Sequence, residues 1–376
     1  MLNLSELGVV ADDLTGACDV AAVLVAAAGP VSVLVSAPTR GGLPGLTVIN
    51  AQSRLLPPEV GRAVFERIGR TLRDKRVILV KVDSALRGPV GAELEGLIRA
   101  VGQRKVILAP AIPRIGRTTR DGQQYDREVP IDQTAYASDP ASPIRSARLV
   151  DLLGQTGHVD CEICDAETDE DLCEIVDSAL DGSAVVLVGS LGLAAALTAR
   201  IEKLPAKAGS WGATGGAVRP LVVCGSMYER TRIQIQFAVD QHRAQVLDVS
   251  PGEIHGPPPG LAAADGLPLI MRLHHQPVAT ACPPSDILPR FTRIVGRWIG
   301  RLQPDGLGII GGETAVHLFD ILQVGRVKVY GRVSEVIAYG TMEDGGMRQC
   351  RLVTKGGSVG PEDAVVQMID HLLGGM

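Results

Sequence analysis

The stretch from Gly8 to Ala17 joins a short apolar run to two adjacent acids. The run ends at Asp12 and Asp13, and Leu14-Thr15-Gly16-Ala17 follows. This pattern predicts a strand, a loop and a helix. Because ligands of open α/β sheets lie outside the carboxyl ends of the strands, a functional carboxylate is expected in this loop. Local hydrogen bonding offers the alternative that Asp13 is a helix N-cap and Asp12 a solvated turn residue.

Basic side chains lie at the ends of two further predicted strands in the N-terminal half. Arg54 follows one strand, Lys81 lies within the next, and Arg87 lies in the loop after it. Lys81 and Asp83 are two residues apart, so on a strand they face the same side. Arginine offers a planar fork to a carboxylate or phosphate, and lysine offers a point charge. Together with Asp12, these residues predict a pocket for an acidic substrate, although surface ion pairs explain any single member equally well.

Glycines lie beside predicted strand ends in the C-terminal half. They occur in Gly225-Ser226, Gly311-Gly312-Glu313-Thr314 and Lys355-Gly356-Gly357. Glycines let the backbone approach phosphate oxygens, and a helix N-terminus offers unpaired N–H groups. Any one of these pairs is more often a plain turn. The Walker spacing and the Gly-x-Gly-x-x-Gly fingerprint after a strand are both absent from the sequence.

The pair Cys161 and Cys164, with His158 and Cys173 nearby, is a candidate zinc site. Structural zinc normally needs two such closely spaced ligand pairs, and the sequence has one. We therefore interpret these residues as part of an ordinary strand and predict no metal site.

Composition excludes several classes of protein. The chain has 376 residues, a net charge of −5, 45% hydrophobic and 3% aromatic residues, which disfavours a nucleic-acid partner. Residues 1–7 carry no basic side chain, and the longest apolar run is 20–28, so neither a signal peptide nor a membrane span is predicted. Seven scattered cysteines do not resemble a disulfide framework and are expected to be reduced. These features predict a soluble, cytoplasmic protein.

Strand and helix signals alternate along the N-terminal half, which predicts a parallel sheet covered by helices. The predicted strands are 31–35, 47–50, 77–82, 106–109 and 184–188, and the predicted helices are 15–28, 57–75, 89–101, 169–180 and 191–201. Residues 110–146 carry several arginines and prolines without sustained periodicity. So long an irregular segment is usually functional or disordered.

The C-terminal half restarts the same pattern after a glycine-rich stretch. Predicted strands at 221–224 and 306–310 alternate with helices ending near 242, at 287–302, from 312 onwards and at 361–373, and 327–339 pairs with 347–354 as an antiparallel hairpin. We predict two α/β domains, each with a mainly parallel sheet flanked by helices, and some antiparallel strands in the second. The predicted boundaries are 1–205 for the first domain, 206–219 for a linker and 220–376 for the second domain.

Several motifs resemble the four-carbon acid sugar kinase family, nearly end to end and in the family's order. They are Ala11-Asp12-Asp13-Leu14-Thr15-Gly16-Ala17, Ser53-Arg54, Lys81-Val-Asp83-Ser84-Ala-Leu-Arg87-Gly88, Gly116-Arg117-Thr118 through Gly122 and Tyr125 to Asp139-Pro140, Gly189-Ser190-Leu-Gly192-Leu-Ala, Gly225-Ser226, Gly312-Glu313-Thr314 and Thr354-Lys355-Gly356-Gly357. The sequence departs from the family pattern at Met227-Tyr228-Glu229 and at Ala85, where threonine is usual.

The resemblance implies an ATP-dependent kinase for the terminal hydroxyl of threonate, erythronate or 3-oxo-tetronate, with the acid in the first domain, ATP in the second, and Mg²⁺ as a cofactor. It assigns Arg54, Lys81 and Arg87, with Asp12, Asp13 and Asp83, to the acid, Asp12 being the base or hydroxyl anchor. It assigns Ser226, Gly311, Gly312, Glu313, Thr314, Gly356 and Gly357 to ATP. A sugar-acid sensor without turnover is the alternative, and a nicotinamide-dependent dehydrogenase is a weaker one because the dinucleotide fingerprint is missing. A homodimer is compatible with these expectations.

Overall fold

The computed structural model describes residues 1–37, 45–139, 142–154, 159–203, 216–250, 267–274 and 284–374. The chain divides into two compact units, Met1–Lys207 and Ala208–Met376. The predicted linker 206–219 lies largely outside the described residues. Its described end, from Ala217 to Arg219, bonds within the second unit: Ala217 N–H donates to the Leu372 carbonyl at 2.7 Å. The amides of Val218 and Arg219 donate to the Asp305 carboxylate at 3.0 and 2.8 Å.

The first unit contains the predicted alternation of strands and helices. Its strands are β1 (Leu7–Ala11), β2 (Val31–Leu34), β3 (Thr47–Asn50), β4 (Val77–Lys81), β5 (Lys105–Ala109), β6 (Arg117–Arg120), β7 (Gln123–Asp126), β8 (Val129–Pro130), β9 (Glu162–Ile163) and β10 (Val185–Gly189). Its α-helices are α1 (Leu14–Ala28), α2 (Pro58–Leu72), α3 (Val90–Val101), α4 (Leu149–Gly154), α5 (Asp169–Ala179) and α6 (Leu191–Thr198). The bounds predicted for β1 to β5, β10, α1 to α3, α5 and α6 differ from the observed ones by three residues or fewer, whereas no bounds were predicted for β6 to β9 and α4.

Strand β1 lies in the middle of a parallel sheet with the order β2-β3-β1-β4-β10-β5-β9. Helices α2 and α3 pack together on one face and bury Phe65, Ile68, Leu94 and Leu97 against the sheet. Helix α6 contacts α1 and α5. The chain leaves β1 towards β2 and β3 and then crosses to β4, so β1 and β4 border a switch point, where such sheets place their ligands. The mainly parallel α/β fold class is confirmed.

The described residues between 110 and 146 are more ordered than their sequence indicates. They form the antiparallel sheet β6-β7-β8 and short 3₁₀ turns. The strands escape recognition because they are two to four residues long and lack apolar alternation: β6 reads Arg-Thr-Thr-Arg and β7 reads Gln-Gln-Tyr-Asp. The prediction of an irregular segment is therefore wrong here.

The second unit has a sheet of parallel and antiparallel strands that is covered by helices. Its strands are β11 (Pro220–Cys224), β12 (Gln245–Val249), β13 (Leu269–Leu273), β14 (Gly306–Ile310), β15 (Arg326–Ser334), β16 (Ile337–Met342) and β17 (Arg351–Lys355). Its α-helices are α7 (Glu229–Asp240), α8 (Pro284–Leu302), α9 (Gly312–Leu322) and α10 (Ala364–Leu372). The order is β12-β13-β11-β14-β17-β16-β15, parallel from β12 to β17 and antiparallel beyond it.

Two expectations for the second unit need correction. Strands β12 and β13 were not predicted. β13 lies within Gly252 to Pro284, which reads as a Pro-rich segment and lies largely outside the described residues, and β12 lies between that segment and the helix predicted to end near 242. The predicted strand 327–339 is two strands, since the chain turns at Glu335 and Val336, so the expected hairpin is a three-stranded meander.

No helix of the described residues is long and apolar enough to cross a membrane. Free thiols are found at Cys18, Cys161, Cys164, Cys173, Cys224 and Cys350, while Cys282 lies outside the described residues.

Candidate active site

The loop after β1 holds a buried ion pair between Asp12 and Arg54. Arg54 donates from Nε to Asp12 Oδ2 at 2.9 Å and from Nη2 to Asp12 Oδ1 at 2.8 Å. The Asp12 side chain is 1% exposed. The Asp12 carbonyl accepts from the amides of Ser53 and Arg54 at 2.9 and 3.3 Å, which holds the loop after β3 against the loop after β1. Asp12 is therefore a buried, oriented carboxylate and not a solvated turn residue.

Asp13 is the N-cap of α1 and also faces two cations. Its Oδ1 accepts from the Gly16 amide at 3.0 Å and from Arg54 Nη2 at 2.6 Å. The position that a Cβ would occupy at Gly16 is 2.5 Å from Asp13 Oδ1 and 3.0 Å from Lys81 Nζ. Only glycine therefore lets the Lys81 ammonium approach this turn. The capping interpretation of Asp13 is confirmed, and the same residue belongs to the charged cluster.

The loop after β4 repeats the pairing of an aspartate with an arginine. Arg87 donates from Nε and Nη2 to the two oxygens of Asp83, each at 2.9 Å, and from Nη1 to Asp139 Oδ2 at 2.9 Å. The Asp83 amide donates to Asp12 Oδ2 at 3.3 Å, which joins this pair to the Asp12–Arg54 pair. The structure thus brings together all six residues that the sequence predicts for the acid: Asp12, Asp13, Arg54, Lys81, Asp83 and Arg87.

The two adjacent aspartates differ in proton affinity. Burial raises the pKa of Asp12 above its ordinary value, and the neighbouring Asp13 adds to the rise against the opposing Arg54. Burial would also raise the pKa of Asp13, but Arg54 and Lys81 outweigh it and hold that pKa below its ordinary value. When the pKa values of two neighbouring carboxyls shift in opposite directions, the one with the raised pKa is suited to accept a proton and the other stays ionised. Asp12 is the better proton acceptor of the two.

Sequence reasoning missed Glu93, a carboxyl buried on α3 behind this cluster. Glu93 is 1% exposed, and within the part of the chain that the structure describes both of its oxygens are buried without a close hydrogen-bond partner. Burial and the nearby Asp12 carboxylate raise its pKa to about 8, although Ser53 and Arg54 favour the charged form. The sequence does contain a signal that could have identified Glu93 as buried. The residue lies three positions after Val90 and four before Leu97, on the apolar face of an amphipathic helix.

Sequence reasoning also left Arg117 out of the predicted site. Arg117 begins β6 and is 3% exposed. Its guanidinium lies 4.9 Å from the centre of the Tyr136 ring, and that of Arg87 lies 5.2 Å from the same centre. Gln124 of the neighbouring strand β7 donates to the Ser84 carbonyl at 2.8 Å. The three-stranded sheet therefore packs directly on the loop after β4.

The predicted nucleotide residues converge at the carboxyl ends of β11, β14 and β17. Ser226 follows β11, and its Oγ lies 3.0 Å from Thr231 Oγ1, which also donates to the Gly357 carbonyl after β17. Gly311 follows β14 with φ +102°, a conformation that favours glycine, and no side chain in the described part of the chain caps helix α9, which begins next. A Cβ at Gly311 would lie 3.8 Å from that of Ser226. Gly312, Glu313 and Thr314 form the first turn of α9, and Gly356 directly follows β17.

Lys355 lies fully buried at the end of β17. Its Nζ donates to the carbonyls of Gly356 and Val359 at 2.6 and 2.9 Å, and its own carbonyl accepts from the Gly311 amide at 2.9 Å. The lysine therefore fixes the glycine turn after β17 and ties it to the turn after β14. Glycine turns and a helix N-terminus at one sheet edge form a surface of backbone donors suited to phosphate oxygens.

Two other features lie apart from these clusters. A cavity of about 440 Å³ in the second unit is lined at Asp305, Met347 and Cys350, beside the amino end of β14 and therefore at the opposite sheet edge from Gly311. Cys161 and Cys164 flank β9, and burial raises the pKa of their thiols to about 12 and about 11. Within the described ranges, no group of three or more metal-ligating side chains is found; His158 lies outside them.

Comparison with known protein families matches each unit separately. The model of a sugar-binding N-terminal domain matches residues 7–161, and that of a nucleotide-binding C-terminal domain matches residues 221–365. The chain is 30% identical to the D-threonate kinase of Salmonella typhimurium over 64% of this chain and 62% of that protein. It is 25% identical to the D-erythronate kinase of Heliobacterium modesticaldum over 98% of each. It is 30% identical to the 3-oxo-tetronate kinase of Methylobacterium radiotolerans over 47% of this chain and 44% of that protein.

Two solved structures share the fold. One, from Salmonella typhimurium LT2 and described as a tRNA synthase, has a TM-score of 0.76 at 21% identity and covers 98% of both chains. The other, Haemophilus influenzae protein HI1011, has a TM-score of 0.68 at 18% identity and covers 97% of this chain and 100% of that one. At these identities the likeness concerns the fold alone. The two domain models and the kinase relatives confirm the resemblance read from the motifs, and the chain belongs to the four-carbon acid sugar kinase family.

Proposed function

We propose that this protein transfers a phosphoryl group from ATP to the terminal hydroxyl of a four-carbon sugar acid. Relatives named as D-threonate, D-erythronate and 3-oxo-tetronate kinases support this substrate class. The observation that carries the proposal is the buried cluster at the carboxyl ends of β1, β3 and β4, in which arginine forks orient Asp12 and Asp83. Oriented carboxylates are suited to accept hydrogen bonds from the hydroxyls of a sugar.

Asp12 is the proposed proton acceptor for the attacking hydroxyl. Burial raises its pKa, and Arg54 fixes its plane, so the carboxylate is basic and oriented at once. A general base works best when its pKa approaches the working pH. The positive charges of Arg54 and Lys81 keep Asp13 ionised, and its negative charge partly neutralises theirs. These two roles divide the work between neighbouring acids.

The nucleotide is proposed to bind at the glycine turns of the second unit. Ser226, Gly311, Gly312, Thr314, Gly356 and Gly357 would surround its phosphates with backbone and hydroxyl donors. Mg²⁺ in kinase sites is held by one or two carboxylates together with substrate phosphates. Glu313, in the first turn of α9, is the acid among these residues and would hold it, and the ion would neutralise phosphate charge.

A coupled assay of ADP release tests the proposal. Purified protein with ATP and Mg²⁺ is supplied with D-threonate, D-erythronate, their enantiomers and 3-oxo-tetronates, and with acids of three and five carbons as controls. ADP release that depends on a four-carbon acid is the expected result. If no acid stimulates ADP release although ADP and an acid each bind, the protein is a sensor and the kinase proposal fails.

A further inference from the structure

The arginines predicted to receive the substrate carboxylate already hold protein carboxylates. Arg54 contacts Asp12 and Asp13, and Arg87 contacts Asp83 and Asp139, in every case at 2.9 Å or less. Each guanidinium charge is therefore offset by two acids. An incoming carboxylate at either arginine would meet this existing negative charge. The acid group of the substrate needs a cation whose charge is less fully compensated.

Arg117 is such a cation. Two of its guanidinium nitrogens, Nε and Nη1, are buried and have no hydrogen-bond partner among the residues that the structure describes. Its third, Nη2, donates to the Tyr136 hydroxyl at 3.1 Å and lies 3.5 Å from Asp126, whose side chain is 32% exposed. Buried N–H groups are nearly always satisfied, and an unpaired one costs free energy that a ligand can recover. The unmet donors of Arg117 thus point to an anion that is part of the functional complex.

The location of Arg117 agrees with this role. The Tyr136 ring that stacks on Arg117 also stacks on Arg87, and Arg87 holds Asp83 directly after β4. Thr119, on the same face of β6 as Arg117, donates to Gln124 Oε1 at 2.6 Å, and Gln124 donates to the Ser84 carbonyl. Both connections fix β6 against the loop that carries the Asp83–Arg87 pair. An anion bound at Arg117 would therefore adjoin this pair.

We propose that Arg117 binds the carboxylate of the sugar acid and selects acids over neutral polyols, while the aspartates of the Asp12 and Asp83 pairs accept hydrogen bonds from the hydroxyls. This inference rests on the proposed function. The proposal also assigns a role to the antiparallel sheet β6-β7-β8, because this sheet positions Arg117 at the edge of the parallel sheet. It also separates recognition of the acid group from activation of the hydroxyl.

The test compares Arg117→Gln and Arg117→Lys with the wild-type protein. Binding of D-threonate and D-erythronate is measured by calorimetry, and kcat/KM is measured for these acids and for threitol and erythritol, the polyols of the same length. Arg117→Gln should lower the affinity for the acids about 10- to 100-fold, because it removes hydrogen bonds to a charged group. We expect kcat/KM for the polyols to stay unchanged. Arg117→Lys keeps the charge without the fork, so an intermediate loss is expected.

Arg120→Gln is the matched control, because Arg120 lies on the same strand, pairs with Glu128 and Glu167, and is partly exposed. It should bind the acids as the wild type does. Equal loss of acid and polyol turnover in Arg117→Gln would assign Arg117 a structural role and overturn the inference, as would unchanged acid affinity. If Arg117→Gln does not fold, the same comparison of acid affinity with polyol turnover is made on Arg117→Lys. If the wild type binds none of the four-carbon acids in the ADP-release panel, the proposed function itself fails, which is a distinguishable result.

Discussion

Arg54 holds Asp12 through a two-pronged contact, with Nε and Nη2 at 2.9 and 2.8 Å from the two carboxylate oxygens. The residues are 42 positions apart in the chain and meet because β1 and β3 are neighbouring parallel strands. Arg87 and Asp83 repeat the arrangement after β4. Arg–carboxylate forks add geometric specificity as well as energy. The arginines in this structure therefore orient acids, and the acids are the groups left to meet substrate hydroxyls.

Replacement of Asp12 by Asn tests its part in the reaction. The amide keeps the shape of the side chain and removes its charge and basicity. Loss of a general base costs about a hundredfold to ten-thousandfold in rate, and we expect kcat for the acid-dependent ADP release to fall by that factor. Calorimetry of acid binding on the same variant separates this effect from loss of affinity.

Asp177→Asn is the control for this variant. Asp177 lies on α5 at the surface of the same unit and pairs with Arg200, so the loss of its charge should leave kcat unchanged. Wild-type turnover in a folded Asp12→Asn protein would remove Asp12 from the mechanism.

Gly16→Ala should damage the cluster without altering any charge. The new methyl group would lie 2.5 Å from Asp13 Oδ1 and 3.0 Å from Lys81 Nζ, so the cap and the lysine must both move. Overpacking of this kind costs about 1–3 kcal/mol. We expect urea denaturation to show that loss in the free energy of unfolding, together with weaker acid binding. Gly154→Ala, whose new methyl group meets no atom of the described residues within 4 Å, should stay within about 0.5 kcal/mol of the wild type. Equal stability of the two variants would contradict the close approach described here.

The sequence was sufficient to find the strand ends that carry the cluster, because Asp12 and Lys81 lie at the ends of apolar runs and Arg54 follows a short strand signal by four residues. It could not reveal that the arginines are already paired. Arg54 meets Asp12 across two strands, and the sequence does not specify which acid a given arginine reaches. The pairing follows from strand order, which is a property of the folded sheet.

The residues that were missed lack the expected local signals. Arg117 lies in a polar strand without apolar alternation, and only its burial and its unpaired nitrogens mark it. Glu93 interrupts the apolar face of α3, a signal that is visible in the sequence but more often denotes a partly exposed position. The glycine turns at Gly311 and Gly356 were placed correctly at strand ends, since glycine after an apolar run is a strong turn signal. Their roles in nucleotide binding stay predictions.

Glu93 should make stability depend on pH. Its pKa is about 8 in the folded protein, against an ordinary value of 4.5, because burial and Asp12 disfavour the charged form over the opposing Ser53 and Arg54. Between these values the folded state keeps the proton that the unfolded chain releases. The folded state then binds more protons, so the free energy of unfolding falls as pH rises from about 4.5 and levels off above about 8.

Glu93→Gln removes this dependence, since the amide stays neutral. We expect the stability of the variant relative to the wild type to rise with pH up to about 8, by at most about 1.4 kcal/mol per pH unit. Urea denaturation from pH 5 to pH 9 measures the difference. Glu95→Gln, two residues along α3 and paired with Arg62 and Arg99, should show no such trend. A difference between Glu93→Gln and wild type that is constant across this range would contradict the raised pKa.

Division of the chain tests the proposed separation of the two ligands. We expect residues 1–205 to bind the sugar acid and residues 216–376 to bind ADP, because the two sets of predicted residues lie in different units. The second fragment starts at 216, so that it keeps the bond from Ala217 to Leu372 and the bonds from Val218 and Arg219 to Asp305.

Thermal shifts on each fragment measure the outcome. A ligand that binds only the folded form stabilises it by about 2.7 kcal/mol at a hundred times its Kd, which raises the melting temperature by several degrees in domains of this size. ADP should raise it for the C-terminal fragment alone, and D-threonate or D-erythronate for the N-terminal fragment alone. Each ligand thus serves as the control for the other. A folded C-terminal fragment that ignores ADP, beside an N-terminal fragment that responds to it, would reverse the proposed placement of the two sites, because Ser226, Gly311 and Thr314 would then have no nucleotide to bind.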